Sequence, residues 1–310
     1  MAEILALGEL LMDCIVENDR VIQANPGGAP CNYLAAASKY GVPCAYIGKV
    51  GLDEYGLELR RTLENCGIDC GGMVMDPSCE TTKAFVKLDP DGDRSFSFSR
   101  DADMKLNVTD VDRTLVDACR IFHFSGSLSL TDDPCRTTLH ETAEYAGELG
   151  RLISYDPNFR ELAWNGDMEN ARRELRWGCK IAHIIKISAD EAEFIGVTVE
   201  ELLRNAFLVM VTKDAGGASL YSRSAWADIE CPKVNVVDTT GAGDIFNGAA
   251  ASRLLRILDE GRKKGVSDKK VMETLNKDQL TQIGRFAVTA ASLSTSRYGA
   301  IPSIPDISEI

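Results

Sequence analysis

Short apolar runs alternate with amphipathic stretches along most of the chain. EILAL, AYIGKV, RIFHFSG, RLISYDPN, HIIKIS and FLVMVTK have strand length, and several are apolar on both faces. Between them CNYLAAASKYG and EYGLELRRTLENCG carry helical spacing and stop at Gly41 and Gly67, the expected place for a left-handed terminator. Doubly apolar strands alternating with helices predict a parallel sheet covered by helices on both sides. Two segments break the pattern. Leu11–Ile22 and Thr81–Arg100 alternate apolar and polar residues, and the second contains a DPDG turn. They predict a small antiparallel sheet growing out of the main domain, discontinuous in sequence at about 11–25 and 81–102. Another short β region is expected from Lys213 to Cys231, and helix from Gly241 almost to Gly299. The charged run Asp259–Lys270 reads as a solvated loop between helices. There is no internal repeat and no low-complexity tract.

Length and charge narrow the classes. At 310 residues, one large α/β domain with an appendage fits better than two full domains. Thirty-four Lys and Arg against 47 Asp and Glu give a net charge of -13, which argues against nucleic-acid or acidic-membrane partners. No run of apolar residues is long enough to span a bilayer. The beginning, MAEILALGEL, lacks the basic region of a signal peptide. The ten cysteines include no CxxC pair and there are three histidines, so zinc-ligand spacing is missing. Free thiols in a reducing cytoplasm are the expected state.

The densest chemistry is DTTGAGD, Asp238 to Asp244. Gly241-Ala242-Gly243-Asp244 follows an extended stretch, CPKVNVVD, and opens the helical DIFNGAAASRLLRIL. Small residues at a helix start let a ligand approach amides that have no intrahelical partner, and the helix dipole favours an anion there. Asp244 would stand beside that anion, placed to take a proton from an attacking hydroxyl. Read alone, it fits a helix cap equally well. The P-loop pattern GxxxxGK[ST] and the HRD and DFG elements of protein kinases are absent.

DTTGAGDIFNG resembles the C-terminal motif of the ribokinase-like (PfkB) carbohydrate kinases, and GGAPCNYLAAASKYGVPCAYIGKVGLDEYG resembles their N-terminal one. The likeness covers nearly the whole chain. Within the family GELLMDCI, GGAP, AFVKLDPDGDRSFSFSR with DADMKL, SYDPNFRELAW and SRYGAIPSIP look most like fructokinases. The resemblance implies one α/β kinase domain over 1–310, a ribokinase-like three-layer sandwich with a mostly parallel sheet and a small β-sheet lid.

It also implies roles. Asp244 resembles the base that activates the sugar hydroxyl, and the backbone of Gly241, Ala242 and Gly243 the anion hole around the transferred phosphoryl group. Asp13, Gly27, Gly28 and Asn32 resemble sugar-binding positions, and carboxylate and amide groups suit a polyol. Asn158 and Arg160 follow a strand end, where open α/β sheets bind ligands, and Arg100 on the hairpin is a second cation within range. Arg160 suits a substrate hydroxyl, a phosphate or a structural acid. Lys186 and Ser188 precede Glu191 in a region resembling the family's NxxE element, which organises Mg2+ through water; Ser188 replaces the usual Asn. Thr212, Lys213 and Gly217 resemble the nucleotide side, and AVTAASLSTSRYG the adenine wall. Asp238, Thr240, Ser294, Arg297, Gly299 and Ser303 match positions that hold K+ in some relatives.

ATP and a small sugar are therefore the expected partners, with a homodimer formed through the lid. Fructose is the first candidate, and 2-keto-3-deoxygluconate or another sugar of the family the alternative. A non-catalytic sugar or nucleotide sensor on the same fold is the alternative of another class, and the intact Gly241, Gly243 and Asp244 disfavour it.

Overall fold

The first strand, β1 (Ile4–Leu7), is apolar at all four positions, and the structure, a computed structural model, shows why. Ile4 and Ala6 join one hydrophobic core while Leu5 and Leu7 join another. A strand whose alternate side chains enter two cores has no face for water. Residues 1–88 and 94–310 are described; the expected DPDG turn, Asp89 to Gly92, lies outside them.

After β1 come β2 (Leu11–Glu17), β3 (Arg20–Gly27), α1 (Ala29–Lys39), β4 (Cys44–Gly51), α2 (Glu54–Asn65) and β5 (Asp69–Asp76). A second hairpin, β6 (Lys83–Leu88) and β7 (Arg94–Ser99), leads to α3 (Arg113–Ala118). Strand–helix steps follow: β8 (Ile121–Ser125), α4 (Cys135–Glu148), β9 (Leu152–Asp156), α5 (Met168–Ile181), β10 (Ile184–Ser188), α6 (Ala189–Ile195) and α7 (Val199–Leu202). Then come β11 (Leu208–Thr212), β12 (Ala218–Ser222), β13 (Trp226–Ile229), α8 (Ala242–Lys263), α9 (Asp268–Glu273) and α10 (Lys277–Ser294).

Nine strands form one sheet, ordered β13-β12-β11-β10-β9-β8-β1-β4-β5. The strands from β11 to β5 are parallel, and β12 and β13 add an antiparallel edge. Helices α1, α2 and α8 to α10 line one core and α3 to α7 the other, giving three layers. Strand order reverses at β1, so the space outside the C-terminal ends of β1 and β8 to β11 is where a ligand is expected.

The two hairpins make the second sheet, ordered β3-β2-β6-β7. Each is antiparallel, and they join through a parallel β2–β6 pair that sets Asp13 beside Ala84. A crossover through helices, not a turn, separates the hairpins, so they can enter in the same direction.

The charged run Asp259–Lys270 is not the expected solvated loop. Helix α8 continues to Lys263 and α9 starts at Asp268. Asp259 and Asp268 bind Arg120 at 2.6 and 3.0 Å, and Glu3 binds it at 2.6 Å. The Arg120 side chain, just before β8, is 8% exposed, so these carboxylates, half-exposed Asp259 among them, answer a buried charge distant in sequence. No helix among the described residues is long and apolar enough to cross a membrane.

Candidate active site

Helix α8 begins at Gly241, whose φ of 72° lies in the left-handed region. A Cβ there would stand 2.5 Å from that of Ala300, so only glycine lets the loop pack against the chain's end. Among the described residues the amides of Gly243 and Asp244 donate to no protein acceptor, while Ala242 N–H reaches Thr239 O at 3.2 Å. These free donors at the start of a 22-residue helix form an anion cradle. Lys186, midway along β10, stands beside it: a Cβ on Gly243 would lie 3.2 Å from the Lys186 Nζ.

Asp244 is buried just inside the helix. Asn32 Nδ2 donates to its Oδ2 at 2.9 Å, and Asn158 Nδ2 donates to its Oδ1 at 3.2 Å. The first contact exists because α1 and α8 pack closely. Gly248 makes this possible, since a Cβ there would fall 2.3 Å from Tyr33 O. The second depends on Asn158 adopting a positive φ of 39° after β9. Burial pushes the Asp244 carboxyl up from the ordinary carboxylate range, opposed by the Asn32 hydrogen bond and the charges of Lys186 and Arg160. A buried carboxylate held by two amides and raised in basicity is suited to accept a proton.

Sequence reasoning missed Asp156 as a site residue, although it stands at the end of β9 in the quoted SYDPN. Its oxygens bind the Lys186 ammonium at 3.1 and 3.2 Å. Burial raises the Asp156 carboxyl, against the pull of Lys186. Burial also works against the Lys186 ammonium, but Asp156, Glu191 and Asp244 outweigh it and hold it above the ordinary lysine range. Glu9 was missed too. It is buried, accepts from Ser127 and, at 2.7 Å, from Ser129, and fixes the loop after β8; an isolated acid beside Gly8 gave no signal of this.

Asp13 reaches the same space from the second sheet. Burial pushes its carboxyl up to about 6, with Arg160 pulling it down and Asp244 pushing it up, so all three lie within electrostatic reach. Gly27 makes room for it. A Cβ on Gly27 would meet the Asp13 Oδ2 at 2.2 Å, and Gly28 caps α1 with a φ of 111°. Asp13, Asn32, Asn158, Lys186 and Asp244 thus come together from five separate elements. Arg160 is exposed and, among the described residues, has no carboxylate bound to it. Arg100 is not the free cation expected. Its guanidinium is committed to Asp103 (2.5 Å), Asp132 (2.8 Å), Thr131 and Leu128 O.

The other positions form the cradle's flanks. Glu191 accepts from Ser188 N–H at 2.8 Å and Phe159 N–H at 2.9 Å, and Ser188 caps α6 in return. Ser188 and Thr212 are register partners at the ends of β10 and β11. Gly217 carries a φ of 83° and faces Ile229 O, where a Cβ would come to 2.0 Å. Lys213 is paired with Asp228 at 3.2 Å rather than left free. Asp238 accepts from Thr240 N–H and Oγ1 and from Gly299 N–H, binding the loop before α8 to the chain's end. Ser294 and Ser303 turn their hydroxyls to backbone carbonyls, both at 2.7 Å, and Arg297 pairs with Glu309.

Relatives share this arrangement of elements. Fructokinase-1 of Zea mays is 36% identical, the match covering 99% of this chain and 96% of the relative. A fructokinase from Xylella fastidiosa, solved with bound ATP, superposes with a TM-score of 0.88 at 28% identity over 100% of this chain and 97% of that one. A fructokinase double mutant from Vibrio cholerae O395, with fructose, ADP and potassium ion bound, gives 0.82 at 26% identity over 99% and 96%. The pattern of the pfkB family carbohydrate kinases matches residues 1–307. With the helix-start cradle, the held Asp244 and this full-length match in place, the chain belongs to the pfkB family of carbohydrate kinases.

Proposed function

We propose that this chain is an ATP-dependent fructokinase, converting D-fructose and ATP to fructose 6-phosphate and ADP. The carrying observation is the buried Asp244 carboxylate, held by Asn32 and Asn158 beside the unpartnered amides of Gly243 and Asp244. Asp244 takes the proton from the sugar hydroxyl as its oxygen bonds to the γ-phosphorus. The bond to the bridging oxygen breaks and ADP leaves. The helix-start amides and Lys186 balance the charge on the transferred group, a preorganised arrangement that costs no reorientation. Asp13 and Asn32 present a carboxylate and an amide to a neutral polyol. The buried Asn32 Oδ1 has no partner within the described protein and suits a sugar hydroxyl.

Magnesium fits the residues as a nucleotide-borne ion. Each Glu191 oxygen accepts one amide and keeps capacity for a water, and no group of three or more His, Cys, Asp or Glu among the described residues forms a cage. When bound, Mg2+ would neutralise charge across the phosphates. K+ in the loop that Asp238 ties to Gly299 would stiffen the segment before the cradle.

The β3-β2-β6-β7 sheet is read as a lid, since Asp13 on β2 carries it over Asp244. Its edge strand β3 exposes Val21 (44%) and Ile22 (57%), a place for a second copy to pair. Light scattering that finds only monomer over a wide concentration range would count against the homodimer. A cytoplasmic location accords with the free cysteines.

ADP release measured with fructose, ribose, 2-keto-3-deoxygluconate, adenosine and hexose phosphates tests the reading. Fructose should be used fastest, Asp13→Ala should abolish its turnover, and Arg160→Ala should weaken it without creating preference for an acid. Among the described residues Arg160 is a cation near Asp13 with no bound carboxylate, so a sugar acid would be expected to use it. Faster consumption of 2-keto-3-deoxygluconate, lost in Arg160→Ala, would overturn fructose and leave the kinase chemistry of Asp244 standing.

A further inference from the structure

At the end of the sheet opposite Asp244 lies a cleft of about 540 Å³. Arg120, Arg151, His183 and Phe207, the residues just before β8, β9, β10 and β11, form its floor. Seven Lys and Arg line it against two acids, Asp268 and Glu273, within a chain of net charge -13. Part of this excess has a structural explanation. Arg120 and Arg262 are bound by Asp268, and Arg223 caps the carbonyls of residues 203–206 after α7. Arg151, Lys180, Arg204 and Lys269 remain, and among the described residues none of them has a carboxylate partner. The Arg151 Nε–H is buried without an acceptor. His183 Nδ1 accepts from Ile153 N–H at 3.0 Å, so its neutral ring keeps a donor at Nε2.

We propose that this cleft binds a phosphorylated small metabolite, a phosphomonoester dianion with an organic body. Like charges gathered without counter-charges repel each other, and a dianion shared among guanidinium and ammonium groups relieves that repulsion. The volume falls in the usual range of small-molecule sites and leaves space beyond a single phosphate. The site is separate from the kinase centre but built on the same strands: Arg151 precedes β9, which ends at Asp156, and His183 precedes β10, which carries Lys186.

The test is calorimetry on the full chain with fructose and a non-hydrolysable ATP analogue saturating the kinase site. The titrants are 3-phosphoglycerate, glucose 6-phosphate and inorganic phosphate. At least one ester should bind with a single equivalent. The double variant Lys180→Glu/Lys269→Glu, altered at two exposed positions, should weaken it by about tenfold or more. Arg204→Ala should weaken it less, and kinase activity should stay within about twofold of the parent in each variant. Which ester binds better identifies the organic body. Absence of ester binding at millimolar concentration, an affinity unchanged in the double variant, or inorganic phosphate binding as tightly as the esters would each overturn the proposal.

Discussion

Each end of the central sheet holds an ionic cluster around a buried cation, Arg120 at one and Lys186 at the other. At one end Glu3, Asp259 and Asp268 each bind Arg120 directly, with Arg262 also on Asp268. Burial pushes Asp268 up, but hydrogen bonds from Arg120 and Arg262 more than offset it, and the carboxyl ends below its ordinary range. At the other end Asp13 and Asp244 lie near Lys186 and Arg160 without contacting either, and burial leaves both raised. The first cluster is satisfied and holds the fold. The second leaves Asp13 and Asp244 without a cation in contact, an arrangement that suits groups working on a hydroxyl or its proton.

Replacing Asp244 should expose this difference most strongly. Asp244→Asn is expected to lose at least about 10²-fold in turnover while still binding ATP, with stability equal to the parent's or higher. Steady-state kinetics, nucleotide titration and thermal unfolding check the three parts, and turnover within a few-fold of the parent would remove Asp244 from its role. Arg120→Met should invert the pattern: a loss of about 2 kcal/mol in denaturant unfolding, because carboxylates are left around a removed cation, with turnover near the parent's.

Smaller effects come from titration. A carboxyl whose folded pKa is raised stabilises the protein in its protonated form. For Asp13 that contribution is complete below the ordinary value of 3.8 and disappears as pH rises through about 6. Asp13→Asn should therefore stabilise the free protein by about 1 kcal/mol at mildly alkaline pH and by almost nothing in acid, in unfolding measured across pH. The finest test is Asn32→Ala. Losing a donor to the ionised Asp244 raises its pKa further, so the acid limb of kcat/KM should move to higher pH. An unmoved limb would assign it to another group.

Local chemistry made much of this molecule legible before folding. The strand ILAL is apolar throughout and LVMVT nearly so because both faces are covered, and GAGD can start a helix and bind an anion with its own backbone. Other readings needed a partner that sequence does not identify. Arg100 seemed available and is consumed by Asp103 and Asp132; Asp268 seemed solvated and is held by Arg120 and Arg262. Asp156 carries no sign within DPN that Lys186, a strand away, will bind it.

The sequence by itself determined the alternation of elements and the glycine-rich start of α8 with Asp244 just inside it, since each rests on neighbours within a few residues. Tertiary structure alone decided what that carboxylate experiences. Asn32 and Asp244 are 212 positions apart and meet because Gly248 lets α8 lie against α1; Asn158 arrives from β9 and Asp13 from the second sheet. Burial, hydrogen bonds and nearby charges set a carboxylate's basicity, and these act through distances of a few ångströms that only the packed chain defines.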